Sequence, residues 1–179
     1  MQRIPQVSLD QAAAAAKPIL ENIQKKYKRV PNILASVANS PAALKTLTGM
    51  FAALDEGALA GKAHEAIALR VGEMHGCRYC TAAHTAKGKM AGWTEAETIA
   101  LRQGKAQDRK LQALLDLSVS MVQNRGQVTD AEIKTARDAG ATDGELLEAL
   151  AIVVLNTFTN YVNALAQTEV DFPAAPALK

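Results

Sequence analysis

The apolar and polar positions along the chain follow a helical pattern, and no stretch shows convincing strand-like alternation. Glycine and proline residues separate the helical stretches. An internal proline removes a helix hydrogen bond, so Pro18 is expected to kink or split the first helix. The pattern predicts an all-α fold, a bundle of about eight helices, from the segments 9–28, 32–38, 42–55, 60–75, 77–91, 94–103, 107–124, 129–138 and 142–167.

Four capping boxes mark predicted helix starts. In each, a Ser or Thr is followed three residues later by Glu or Gln, and the two side chains can satisfy backbone N–H groups that have no partner within the helix. The four pairs are Ser8 with Gln11, Thr94 with Glu97, Thr129 with Glu132, and Thr142 with Glu145.

The segment 145–167 is the most apolar predicted helix. Its apolar residues cover most of its circumference, which indicates a central helix buried by its own domain or by another subunit. The longest apolar run, 147–155, is interrupted by Glu148 and is too short to cross a bilayer. Residues 1–10 lack the pattern of a signal peptide. We therefore predict a protein without membrane association, located in the cytoplasm.

Composition and charge narrow the class further. Of 179 residues, 49% are hydrophobic and only 4% aromatic, which suits packed helices, and the net charge is +2. The densest basic stretch, 25–29, is interpreted as the solvated end of a helix, so no nucleic-acid partner is expected. The length predicts one domain over residues 1–179, with its core at roughly 25–173 and an irregular tail over 174–179.

Reactive side chains concentrate between residues 77 and 84, in the pattern C-x-x-C-x-x-x-H. If a helix opens after Gly76, Cys77, Cys80 and His84 share one stripe of its surface. Cys77 then lies in the first turn, where the helix dipole favours a thiolate. Cys80 lies one turn before His84 and can exchange a proton with the imidazole. The C-x-x-C is thus predicted at the N-terminal end of a core helix.

Such a dithiol supports a redox cycle. One thiolate attacks an electrophile such as a peroxide oxygen and becomes a sulfenic acid, and the second thiol condenses with it to give a disulfide and water. An external dithiol then reduces the disulfide by exchange.

Three other interpretations of the cysteine pair stay open at this stage. Zinc could bind Cys77, Cys80 and His84, with a fourth ligand from His64, Glu65 or His75. The pair could form a structural disulfide, or both cysteines could simply be packed in the core. The spacing of Glu65 and His64 alone favours exposed helix-surface residues, and His75 is expected in a turn.

Glu65 together with Cys77, Cys80 and His84 gives the pattern E-x(11)-C-x-x-C-x-x-x-H. It resembles the signature of the alkylhydroperoxidase D (AhpD)-like proteins within the carboxymuconolactone decarboxylase-like family. Flanking segments are similar to the peroxidase-related subgroup and extend the resemblance over roughly residues 25–173. These segments are 30–32, 39–41, 156–160 and 171–173.

The resemblance implies an all-helical fold that assembles into trimers or hexamers, and thiol peroxidase chemistry. We expect neither a cofactor nor a bound metal. The resemblance also implies that Cys80 attacks the peroxide and becomes the sulfenic acid, and that Cys77 is its disulfide partner and proton donor. His84 would relay protons and Glu65 would hold His84. The best-known members have a histidine two residues after the first cysteine, where this chain has Tyr79. The decarboxylases of the wider family lack the cysteine pair.

The sequence therefore predicts a thiol-dependent hydroperoxidase that cycles a Cys77–Cys80 disulfide. Its partners would be a hydroperoxide substrate and a dithiol reductant, either thioredoxin-like or lipoyl-bearing. The alternative is a redox-sensing or interaction module on the same scaffold, without catalytic turnover.

Overall fold

The computed structural model describes residues 2–178. Within them the chain forms nine α-helices and no strand, which confirms the predicted all-α class. The helices are α1 (Lys17–Tyr27), α2 (Asn32–Val37), α3 (Pro41–Leu54), α4 (Lys62–Met74), α5 (Arg78–Met90), α6 (Glu95–Arg102), α7 (Arg109–Gln123), α8 (Asp130–Asp138) and α9 (Asp143–Ala166).

The first helix differs from the prediction. Residues 9–16 form turns, and α1 begins at Lys17. Pro18 lies in the first helical turn, where its missing N–H leaves no hydrogen bond unmade, so it starts the helix instead of kinking it. The expected capping box at Ser8 is also wrong as a helix start: its hydroxyl donates to Gln11 Oε1 at 3.2 Å within a turn.

The other three capping boxes are confirmed. In the first, Thr94 N–H donates to Glu97 Oε2 at 2.7 Å, and Glu97 N–H donates to Thr94 Oγ1 at 3.2 Å. The same reciprocal bonds open α8 and α9, at Thr129–Glu132 and Thr142–Glu145. Ser40 and Asp108 cap α3 and α7 in the same way without the returning side chain.

Helix α4 lies at the centre of the bundle, in contact with α5, α6, α7 and α9. Its residues 66–69 are fully buried, and Ala66, Ile67 and Leu69 belong to the same hydrophobic core as leucine and isoleucine side chains of α1, α3, α7 and α9. The predicted central helix, α9, is buried on one side and exposes large apolar side chains on the other. The inner position therefore belongs to α4.

Helix α9 is also the helix, within residues 2–178, whose length and composition would allow it to cross a membrane. Half of its most apolar stretch is buried against other helices, and the core helix of a globular protein passes the same test. Glu148 interrupts its apolar pattern for a structural reason. Its carboxylate accepts the backbone N–H groups of Ala58 at 3.1 Å and Leu59 at 2.8 Å, which fixes the loop before α4.

The C-terminal segment folds back over the loop between α1 and α2. Arg29 forms an ion pair with Asp171, and the backbone N–H of Asn32 donates to Asp171 Oδ2 at 3.1 Å. Asn32 Nδ2 donates to the carbonyl of Glu169 at 3.0 Å. These bonds place Phe172 beside the turn that carries the cysteines.

Candidate redox site

A tight turn joins α4 to α5. Gly76 adopts a φ of 61°, which glycine tolerates more readily than other residues. The N–H groups of Gly76 and Cys77 donate to the carbonyls of Glu73 and Gly72, both at 3.0 Å. Cys77 is the N-cap of α5, and its sulfur accepts the N–H of Cys80 at 3.2 Å. The helix thus begins at Arg78, with Cys80 in its first turn.

Cys77 and Cys80 are joined by a disulfide, with their Cα atoms 5.3 Å apart. Both are buried, and Cys80 lines a cavity of about 780 Å³ whose lining does not include Cys77. Helix α4 approaches this turn closely, since a Cβ on Gly72 would lie 3.4 Å from Cys80 Cβ. The two sulfurs therefore differ in access, and Cys80 is the one that a ligand in the cavity can reach.

A third helix contributes a polar group to the sulfurs. Asn163, on α9, places Nδ2 3.2 Å from Cys80 Sγ and 3.8 Å from Cys77 Sγ. The side chain is buried and also lines the cavity. No sequence motif points to this residue, which lies 83 residues from Cys80 in a helix with a mainly apolar pattern.

His84 and Glu65 meet on the cavity wall. His84 Nδ1–H donates to Glu65 Oε2 at 2.7 Å, and both side chains are largely buried. Burial opposes ionisation of Glu65, but the charge and hydrogen bond of His84 outweigh it, with a contribution from Lys87. The pKa of Glu65 is therefore below its ordinary value, and the carboxylate can orient the imidazole. The structure brings all four predicted site residues together.

His64 differs from the expectation of an exposed side chain. His64 is buried and lines the cavity, and burial lowers its pKa, so it is neutral near pH 7. Glu73 forms a 2.8 Å ion pair with the buried Arg102. His75 caps the end of α4 in the turn, as expected, with its ring edge-on to Tyr161.

Tyr79, between the two cysteines, lines the cavity and contacts the segments beside it. Its hydroxyl accepts the backbone N–H of Ile33 at 3.3 Å, and its ring packs edge-on against Phe172. Burial, with the neighbouring Asp171 carboxylate, raises the pKa of Tyr79 well above its ordinary value. The phenol stays protonated at neutral pH and holds the loop after α1 and the C-terminal segment beside Cys80.

The ligand set proposed for zinc is not assembled. Over residues 2–178 no group of three or more His, Cys, Asp or Glu side chains is arranged to hold a metal ion. His84 uses Nδ1 to bond Glu65, and His75 packs on Tyr161.

The fold and the site define an all-helical protein with a disulfide at the start of a largely buried helix, beside a cavity. Residues 41–107, which include all four predicted site residues, match the carboxymuconolactone decarboxylase family. Among solved structures, an AhpD-core, peroxidase-related protein from Ralstonia eutropha JMP134 superposes with a TM-score of 0.86 at 20% identity, covering 95% of this chain and 92% of that chain. The whole chain thus shares the fold of this AhpD-core protein, and the match to the carboxymuconolactone decarboxylase family covers residues 41–107.

Two further structures share this fold. A peroxidase-related protein from Silicibacter sp. TM1040 gives a TM-score of 0.81 at 22% identity, covering 93% of this chain and 90% of that chain. The debrominase Bmp8, as a cysteine-to-alanine variant in complex with 2,3,4-tribromopyrrole, gives a TM-score of 0.79 at 14% identity. The superposition covers 96% of this chain and 92% of that chain. Proteins of this fold thus include a debrominase as well as peroxidase-related proteins. A comparison with curated protein sequences found no match.

Proposed function

We propose that this protein is a thiol-dependent hydroperoxidase that cycles the Cys77–Cys80 disulfide. The observation that carries the proposal is the environment of Cys80. Its sulfur is paired with Cys77, lines a cavity large enough for a small organic molecule, and lies one helical turn before a His84–Glu65 pair.

The first half of the cycle oxidises Cys80. His84 accepts the proton of the Cys80 thiol, and the thiolate attacks the outer oxygen of the hydroperoxide. The O–O bond breaks, and the alkoxide leaves with the proton that His84 returns, as an alcohol. Cys80 is left as a sulfenic acid. The amide of Asn163 and the start of α5 both stabilise negative charge on the sulfur.

The second half restores the dithiol. Cys77 attacks the sulfenic sulfur, its proton leaves with the hydroxyl as water, and the disulfide forms. A dithiol reductant reduces this disulfide by two exchange steps and becomes a disulfide itself. Its class is proposed from the family resemblance, as thioredoxin-like or lipoyl-bearing. In the balance, one hydroperoxide and one dithiol give one alcohol, one water and one disulfide.

The proposal is tested with cumene hydroperoxide and a dithiol reductant, by following consumption of the hydroperoxide. Wild-type protein is expected to turn over many times, and Cys80→Ser to lose this activity. Cys77→Ser keeps the attacking sulfur, so it should form one sulfenic acid per chain, trapped as a dimedone adduct and seen by mass spectrometry. Unchanged turnover in Cys80→Ser overturns the assignment.

The same assay separates the redox-sensing alternative. A sensing module would oxidise once per chain under peroxide and would show no steady-state consumption with excess reductant. Such a module would signal oxidation by a change in its assembly or in its binding of a partner.

A further inference from the structure

The cavity beside Cys80 has mainly apolar walls. Cys80 and His84 lie on the wall formed by α5, and apolar side chains from α1, α3 and α5 face the same space. They include Ile19, Ile23, Phe51, Ala83 and Met90. A volume of about 780 Å³ is in the range of pockets that enclose small organic ligands. A ligand here would bury an apolar body.

Two of the cations in the lining are already neutralised. Arg29 lies over the ring of Phe172, 4.6 Å from its centroid, and is paired with Asp171. Lys26 is paired with Asp55 at 3.4 Å, on the exposed edge of the cavity. Each of these two cations therefore already has a carboxylate partner.

Lys87 is different. Its Nζ lies over the ring of Phe51, 5.3 Å from the centroid, and among residues 2–178 it has no carboxylate within ion-pair distance. It is half-buried, so an anion at Lys87 would be screened less than one at the solvent-exposed Lys28, which also lines the cavity.

Lys87 also has a fixed relation to the reacting sulfur. It follows Cys80 by seven residues on α5, which places it on the same face and about 10 Å further along the axis. His84 lies between them. Side chains on helices lean toward the N-terminus, which is the direction of His84 and Cys80 from Lys87. Lys87 is close enough to contribute to the lowered pKa of Glu65.

The acidic residues of the lining are bonded to other partners and form no ion pair with Lys87. Glu65 is bonded to His84 and Asp55 to Lys26. We propose that the cavity takes an organic hydroperoxide with an apolar body and one carboxylate or similar anionic group, and that Lys87 binds the anion while the hydroperoxide lies at Cys80. This inference rests on the proposed function for the reaction itself, but not for the binding of the anion.

The test compares two hydroperoxides that differ in charge and hardly in size: cumene hydroperoxide bearing a 4-carboxylate and the same compound bearing a 4-carboxamide. Wild-type kcat/KM is expected to be about fivefold higher for the carboxylate, as for one ion pair that is not fully buried. Because the anion is bound in the ground state and the transition state alike, the difference should lie in KM.

The variants are Lys87→Met, which keeps length and removes charge, and Lys87→Arg, which keeps charge. The ratio of kcat/KM values should fall to about one in Lys87→Met and persist in Lys87→Arg. Lys89→Met is the matched control: this lysine is two residues further along α5, is paired with Glu95 and does not line the cavity. Its ratio should equal that of the wild type.

A ratio near one in the wild type, or one that Lys87→Met does not change, overturns the inference and leaves the hydroperoxidase intact. Calorimetric binding of 4-isopropylbenzoate and 4-isopropylbenzamide tests anion binding without the reaction, in case the hydroperoxidase function fails. If neither hydroperoxide is consumed, but the benzoate binds about fivefold tighter than the benzamide in the wild type and not in Lys87→Met, the proposed function fails and the ligand class stands.

Discussion

At the scale of single residues, the contact between the Asn163 amide and the Cys80 sulfur bears most directly on the acidity of Cys80. On α9, Asn163 is one of several buried polar side chains, and its Nδ2 lies 3.2 Å from the sulfur of Cys80. An amide donor strengthens when its acceptor becomes charged, so this bond favours the Cys80 thiolate over the thiol. The buried Oδ1 has no partner among the described residues, so the amide is held by few other bonds.

Replacing this donor should make Cys80 less acidic. We predict that Asn163→Leu raises the pKa of the reduced Cys80 thiol by about one to two pH units, because a hydrogen bond to a charged group contributes about 1.5–3 kcal/mol and one pKa unit corresponds to about 1.4 kcal/mol. The rate of alkylation by iodoacetamide against pH, measured in a Cys77→Ser background, gives this value.

The control for this measurement is Asn156→Leu, on the same helix. Asn156 is equally buried, but its amide donates to the carbonyl of Ile152 at 2.8 Å and not to a sulfur. Its alkylation profile should match that of the parent. If the Asn163 profile also matches the parent, the amide does not stabilise the thiolate.

The site depends, at the scale of elements, on the turn between α4 and α5. The turn sets Cys77 as the N-cap of α5 and brings Glu65 on α4 to His84 on α5. Gly76 is the residue that lets the backbone reverse there, with a positive φ. A Cβ at Gly76 would meet no atom within 4 Å, so a larger residue would cost conformational energy and not steric overlap.

Two glycine-to-alanine substitutions should change stability in opposite directions. Gly76→Ala is expected to lower the free energy of unfolding by about 1 kcal/mol, because alanine is strained at positive φ. Gly49→Ala, in the exposed interior of α3 with nothing within 4 Å of the added Cβ, should raise it by up to about 1 kcal/mol.

Urea denaturation at one fixed protein concentration measures both changes, since assembly makes apparent stability concentration-dependent. If both variants change the free energy of unfolding in the same direction, the positive φ of Gly76 is not what makes alanine unfavourable in this turn.

On the scale of the whole molecule, α9 leaves an apolar stripe facing outward. Leu147, Leu150, Val154, Tyr161 and Leu165 are all at least 36% exposed, and they recur every three, four or seven residues along the helix. That spacing forms one face, the kind that packs against another helix. The stripe supports the proposal of a homo-oligomer, with the trimer or hexamer that the family resemblance implies.

Charges placed on this stripe should disrupt assembly. We predict that Val154→Glu combined with Leu165→Glu lowers the molar mass by light scattering to that of the monomer, because unpaired carboxylates would be buried at the interface. Met90→Glu is the control, since it places one charge on an 88% exposed residue of α5. Circular dichroism checks that each variant stays helical.

A wild-type chain that is monomeric, or an assembly that survives both charges, would show that α9 does not form the interface. The peroxide assay on the monomeric variant then indicates whether assembly contributes to the site.

The sequence alone determined the features that depend on local spacing. Backbone hydrogen bonding fixes the rise and turn of a helix, so most helix positions, three capping boxes and the common stripe of Cys77, Cys80 and His84 followed from residue order. The family signature added Glu65. The first helix was misplaced because alanine-rich turns over 9–16 share the composition of a helix.

The tertiary structure decided the features that depend on which faces pack together. Local spacing carries no information on how α4, α5 and α9 meet, so the Glu65–His84 bond could not be derived from spacing, and Asn163 and the burial of His64 were not foreseen. The same packing places Cys80, and not Cys77, in the lining of the cavity. It also leaves Lys87 with no carboxylate within ion-pair distance among residues 2–178. Sequence determined which reactive groups the chain carries, and helix packing decided which of them meet.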